Sequence, residues 1–369
     1  MKVIFKTDEL VQKLKNLAPT AEAKQTLMIL GNMKAEISNG KSTFISSDLE
    51  VEVTSAVPCE SDGNAEFTLP AKKFLEICSA LSQHSEITLN IDDTKANIIA
   101  GKSKVMLSTL PSDDFPSMSP TEEAINFEVD STDLKELFEK TSFAMAYQDA
   151  RHFLNGLHIC VRDGRLVSVC TDGHRLAKFV SGIKCDKEDL SFILPRKAIQ
   201  ELSRIITSFN DNKTTLTEVS VYSNMVSFKI RDYVLISKLI EGNYPDFDKV
   251  IPEKTNYKLK TNKKTLKDSL NIISKVVNQQ YKGVKLTPTQ DTLHLISSNT
   301  DSEIGEDSIS ANYDGEDLSI GFNISYLQDV IDAIDGEDVL FHITDQNSGC
   351  ILQDPSNTES TYVIMPMRV

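Results

Sequence analysis

The chain repeats itself three times. "FTLPAKKFLEICSAL" (67–81), "FILPRKAIQELSRII" (192–206) and "IGFNISYLQDVIDAI" (320–334) share one plan, in which an apolar strand ends at Leu-Pro or Phe-Asn and an amphipathic helix follows. Pro70 and Pro195 lie 125 residues apart, and Pro195 and Asn323 lie 128 apart. A second helical pattern recurs in "TDELVQKLKNL" from Thr7, "STDLKELFEKTSFA" from Ser131 and "NKKTLKDSLNIISKVV" from Asn262. Gly31, Gly156 and Gly283 keep the same period, as do Asp48, Asp172 and Asn299. Four landmarks on one period define a true repeat. Each copy has the length of a whole domain, so the 369 residues hold three tandem domains rather than solenoid modules.

Within a copy, two helical patterns stand among short alternating strands. Thr7 and Ser131, followed by acidic residues and apolar spacings of three and four, predict N-capped helices. Residues 42–53 and 219–230 alternate as half-buried strands do. Asn39-Gly40, Asp163-Gly164 and Thr289-Gln290-Asp291 predict tight hairpins. Many hairpins and few crossovers exclude a doubly wound parallel sheet. The fold class expected is α+β, with two helices on largely antiparallel sheets in each copy.

Several stretches invite an enzymatic reading. "AEISNGKST" (35–43) approaches a phosphate-cradling loop, but Ala35 replaces its first glycine and a strand follows where a helix is required. That makes it a hairpin. "SVCTDGHRLAKF" (168–179) sets Asp172 two residues from His174, a spacing open to a metal or a general base. No second carboxylate-histidine motif accompanies it, and Thr171 has no paired base, so a strand-end turn with polar side chains is the competing reading. "NTDSEIGED" (299–307) lacks the order of a calcium loop and reads as an acidic edge. "YVIMPMRV" (362–369) allows two readings, a last core strand or an adaptable apolar surface.

The six cysteines are scattered without a Cys-x-x-Cys pair, as expected of free thiols in a reducing compartment. No segment has the form of a secretory signal or the length to cross a bilayer. The net charge of −15 opposes a protein that grips nucleic acid over its whole surface. Yet the six helical segments together carry +1, so the remainder carries −16. The segment 323–337, at −4, departs most, and 131–146 carries −1. A helix-lined surface less negative than its surroundings is what a duplex backbone would tolerate.

"TDGHRLA" (171–177), "LPRKAI" (194–199), "EGNYPDF" (241–247), "STLPSDDFP" (108–116), "GFNISY" (321–326) and "YVIMPMR" (362–368) together resemble the bacterial DNA polymerase III beta sliding clamp family. The match runs from Met1 to Val369 in order. The resemblance implies three tandem clamp domains, at 1–120, 121–248 and 249–369. It further implies a head-to-tail homodimer that closes into a ring around double-stranded DNA, independent of sequence. Such a ring confers processivity by tethering the DNA polymerase III catalytic subunit, and it serves other proteins with a clamp-binding motif. It is opened by a clamp loader, has no catalysis, metal or cofactor, touches no membrane, and works in the bacterial cytoplasm at the nucleoid.

The resemblance also implies roles by position. DNA-facing positions fall on Lys24, Lys72, Lys73 and Gln148, and on His152, Phe153, Arg196 and Arg204. A cleft for client peptides falls on Leu154, Thr171, Gly173, His174, Arg175 and Leu176, with His174 and Arg175 as polar rim groups. It continues through Pro245, Lys249, Val250, Asn323 and Tyr326, and through Val363, Ile364, Met365, Pro366, Met367 and Arg368. Lys249 stands where the family commonly has Arg, and the acidic helix 323–337 is a second departure. The subunit junction falls on Lys102, Lys104, Val105 and Leu107 of one chain. Opposite them come Val276, Asp301, Glu303, Glu306 and Asp307 of the other.

Overall fold

The structure, a computed structural model, describes residues 1–22, 27–92, 94–120, 122–209 and 215–369. Six α-helices occur among them: α1 (Thr7–Leu17), α2 (Ala71–Ala80), α3 (Ser131–Thr141), α4 (Arg196–Thr207), α5 (Lys263–Ile273) and α6 (Ile324–Ala333). The chain divides into two compact units, Met1–Lys135 with Lys197–Leu239, and Glu136–Arg196 with Ile240–Val369.

The first unit holds two sheets. One runs in the order Glu60–Ser61, Lys2–Lys6, Glu86–Asp92, Lys95–Ala100, Ser103–Ser108. The other begins Ile125–Asp130, Leu216–Val221, Met225–Ile230, Tyr233–Lys238 and continues Val51–Pro58, Lys41–Ser47, Asn32–Ser38, Ala65–Pro70. Every paired strand is antiparallel, as the hairpins require. α1 buries Leu10, Leu14 and Leu17 on the face that its periodicity foretold, each worth about 1.5–3 kcal/mol of burial. Phe44 lies between Phe5 and Phe74, at 5.9 and 6.3 Å, and ties both sheets to α2.

The second unit is built on one twelve-stranded sheet. It starts Ser191–Pro195, Gly156–Arg162, Arg165–Thr171, Arg175–Lys184 and passes into Asn357–Ile364, Cys350–Asp354, Asp338–Ile343, Tyr257–Asn262. Ile304–Tyr313, Thr292–Ser298, Gly283–Pro288 and Ile320–Asn323 complete it. A core of Cys160, Val167, Val169, Leu176, Phe247, Ile351 and Val363 lies against it.

The sheets run on across the borders between repeats. Tyr233–Lys238 of the second copy pairs with Val51–Pro58 of the first, and Asn357–Ile364 of the third pairs with Arg175–Lys184 of the second. Each border therefore joins the last strand of one copy to the strand after the landmark aspartate of the copy before. One strand of each kind stays open. Ser103–Ser108 ends its sheet, and residues 304–310 are paired on one side only, since Tyr257–Asn262 reaches just Ala311–Tyr313.

Two local expectations need correction. Thr7 and Ser131 are not caps but the first helical residues. The Thr7 amide donates to the Ser85 carbonyl at 3.0 Å, and the Ser131 amide to Thr215 at 2.8 Å, so neighbouring backbone satisfies helix-end donors that a side chain would otherwise serve. Asn262 and Asn323 do cap α5 and α6, accepting from the Thr265 and Ser325 amides. The alternating runs 42–53 and 219–230 each resolve into two strands about a turn. "AEISNGKST" is a hairpin, with Asn39 and Gly40 at φ 52° and 72°.

Candidate functional site

Thr171–Arg175 turns the chain between two core strands. Asp172 Oδ1 accepts the amides of His174 and Arg175 at 2.9 and 3.0 Å, and Oδ2 pairs with Arg175 Nε at 3.1 Å. Thr171 Oγ1 accepts the Gly173 amide and donates to the Arg175 carbonyl. Gly173 has φ 89°, a backbone conformation that favours glycine, and a Cβ there would meet the flexible end of Arg151 at 3.2 Å. Asp172 is thus the keystone of a turn, with both oxygens engaged. No group of three or more His, Cys, Asp or Glu suited to a metal occurs among the described residues.

Arg175 departs from its expected place on the rim. Its side chain is only 10% exposed. Besides Asp172, it donates to the Phe143 carbonyl, pairs with Asp329 of α6 and lies 4.3 Å over the Tyr326 ring. It locks the turn to α6, leaving exposed His174 as the rim group of this segment.

A neighbouring loop braces the turn. Asp149 grips Arg151 through both carboxylate oxygens, and Arg151 Nη2 reaches the Asp172 carbonyl at 3.3 Å. Those bonds from Arg151 hold the Asp149 carboxyl down to about 2. Below, Tyr244 accepts the Thr171 amide at 2.9 Å and stacks on His158 at 4.6 Å. Burial raises the Tyr244 hydroxyl pKa and, with Arg162 nearby, lowers the His158 imidazole to about 4, which keeps the ring neutral.

The chain end closes the arrangement. The strand Asn357–Ile364 is core up to Ile364, and beyond it the Met365 amide donates to the His174 carbonyl and the Met367 amide to Gly321. Both sequence readings of this segment apply, split at Ile364. Leu154, Leu176, Val363 and Ile364 are buried and form a floor rather than exposed contacts. Pro245, Lys249, Val250, Met365 and Arg368 are exposed, while Asn323, Tyr326, Pro366 and Met367 are half-buried. Among these expected cleft residues, His174, Lys249 and Arg368 are the exposed polar ones.

The expected DNA-facing residues divide between the units. Lys72 and Lys73 are exposed on α2 of the first, where Arg204 pairs with Glu201. An open groove of about 870 Å³ lined by Gln12, Lys15, Gln200, Ser203 and Arg204 runs along α1 and α4. In the second unit Gln148 and His152 are exposed, Phe153 packs on Gly242, and Arg196 donates to the Met145 and Ala146 carbonyls. Lys24 lies outside the described residues.

At the open edges, Lys102 and Lys104 are exposed on one and Asp301, Glu303 and Glu306 on the other, with Asp307 and Val105 half-buried. Leu107 is turned into the core, so its neighbour Met106 faces outward instead. Val276 packs over Gly305, behind the acidic strand.

Sequence reasoning passed over Arg151, Asp149, Lys140 and Asp329. Tyr244 lay within a quoted motif, and its position before Pro245 was the available signal.

Three antiparallel α+β repeats, joined through shared sheets, define a clamp-type fold. Three family models match in order: the N-terminal domain of the DNA polymerase III beta subunit over 1–119, its central domain over 128–246 and its C-terminal domain over 248–368. The chain is 34% identical to the beta sliding clamp of Haemophilus influenzae and 31% to that of Escherichia coli, covering 100% of each chain. It superposes on the crystal structure of the DNA polymerase III subunit beta from Pseudomonas aeruginosa with a TM-score of 0.93, at 32% identity and full coverage of both. A sliding clamp from Bartonella birtlesii bound to griselimycin gives 0.95 at 29%, again with full coverage. The chain belongs to the DNA polymerase III beta subunit family.

Proposed function

We propose that this chain is a sliding clamp: two copies close head to tail into a ring around duplex DNA and hold the replicative polymerase on its template. Its domains are 1–120, 121–248 and 249–369, and it is a non-catalytic processivity subunit acting in the bacterial cytoplasm. One observation carries the ring. Both internal borders are made by the same strand pairing, and one strand of each kind, Ser103–Ser108 and 304–310, is left open. A second copy supplies what is missing at each. Lys102 and Lys104 against Glu303, Glu306 and Asp307 then fix the register by charge.

A closed ring stays on DNA because it is threaded, so weak, sequence-blind phosphate contacts suffice. Lys24, Lys72, Lys73, Gln148, His152, Phe153, Arg196 and Arg204 are the proposed contacts. The acidic remainder repels DNA from the outer surface. The surface edged by His174, Lys249 and Arg368 takes a short peptide from the polymerase, from the loader and from other clients. The competing hydrolase reading loses its base, since both oxygens of Asp172 hold the turn.

Loading onto closed circular DNA tests the proposal. The protein should remain bound through gel filtration and be lost once the circle is cut at a single site. Equal retention on both forms would show adhesion rather than threading.

A further inference from the structure

The aspartates of the acidic segment 323–337 are paired within its own unit. Asp329 pairs with Arg175, Asp332 with Lys267 and Asp335 with Lys140. Lys140 is the unusual member. Its side chain is 8% exposed, whereas a lysine ordinarily carries its ammonium to water. It is held by the Ala333 carbonyl at 2.8 Å and the Asp335 carboxylate at 2.5 Å, at the end of α6 where unpaired carbonyls favour a cation. Lys263 takes the next carbonyl, Ile334. Lys140 and Arg175 come from the second repeat and grip a helix of the third. Their contacts at Asp329 and Ala333 are one turn apart, which fixes both the tilt and the rotation of α6.

α6 begins at the cap Asn323 and carries Tyr326, the ring under Arg175. We propose that Lys140 is a positioning residue of the peptide cleft: by anchoring the far end of α6 it sets where Tyr326 meets the client. This rests on the cleft reading above. The ammonium touches no client; it acts through the helix.

The probe is griselimycin, titrated calorimetrically against the full-length chain. Lys140→Met, which fills the same buried space without charge, should weaken binding by about fivefold or more while the oligomeric mass is unchanged. On a Tyr326→Ala background the same change should cost nothing further, because its route is already cut. Asp335→Asn, at a mostly exposed position, guards against a Lys140 variant that fails to fold. It should give a smaller loss that also vanishes with Tyr326→Ala. Equal losses on both backgrounds, or Lys140→Met binding as wild type does, would overturn the proposal. Should Tyr326→Ala alone leave griselimycin binding intact, the cleft reading falls first and this inference with it.

Discussion

Asp48, Asp172 and Asn299 do the same job at three places. Each side-chain oxygen accepts two amides two to four residues on: Glu50 and Val51, His174 and Arg175, Asp301 and Glu303. The period exposed these positions, but not their partners. Arg175 meets Asp172 within the same turn, but Lys197 meets Asp48 across 149 residues of sequence, a separation at which no local pattern speaks. Burial would raise the Asp48 carboxyl, but Lys197 and the two amides hold it low. His158 carries the clearest prediction at this scale. Its folded pKa of about 4 lies below the ordinary 6.5, so its share of stability is complete above pH 6.5 and is lost as pH falls toward 4. By pH 4 that loss should approach about 3 kcal/mol. His158→Phe keeps a ring against Tyr244 and should flatten the pH dependence of urea unfolding over this window; an unchanged slope would remove His158 as its source.

All six helices were legible because apolar residues at spacings of three and four mark a buried face whatever lies beneath. Their first residues were not, since the loop carbonyls of Ser85 and Thr215 took over the capping at Thr7 and Ser131. The charge of 323–337 had looked like an obstacle in a DNA-binding chain. Its aspartates are paired, and no count along the sequence could pair them. The last segment was legible only to Ile364, where strand alternation stops and hydrogen bonds to His174 and Gly321 begin. Deleting residues 365–369 should therefore weaken griselimycin binding by roughly tenfold, since the anchored methionines go with it. The dimer mass in sedimentation should persist, because neither open edge is touched. Dissociation into single chains would instead make the tail part of the subunit contact.

Three repeats were visible in the spacing; the continuity of their sheets was not, because hydrogen-bond partners across a border leave no periodic trace. That continuity gives the sharpest test of assembly. Reversing charge on one open edge, with Lys102→Glu and Lys104→Glu together, should weaken self-association by roughly tenfold or more in sedimentation equilibrium at low salt. Adding Glu303→Lys and Glu306→Lys should restore it. If the four-site variant stays monomeric, the two edges do not face each other.

The two open strands are different from one another, so the contact proposed between copies uses one of each. In the ring proposed above, two copies joined at both junctions use all four of these edges, so a third copy finds none left.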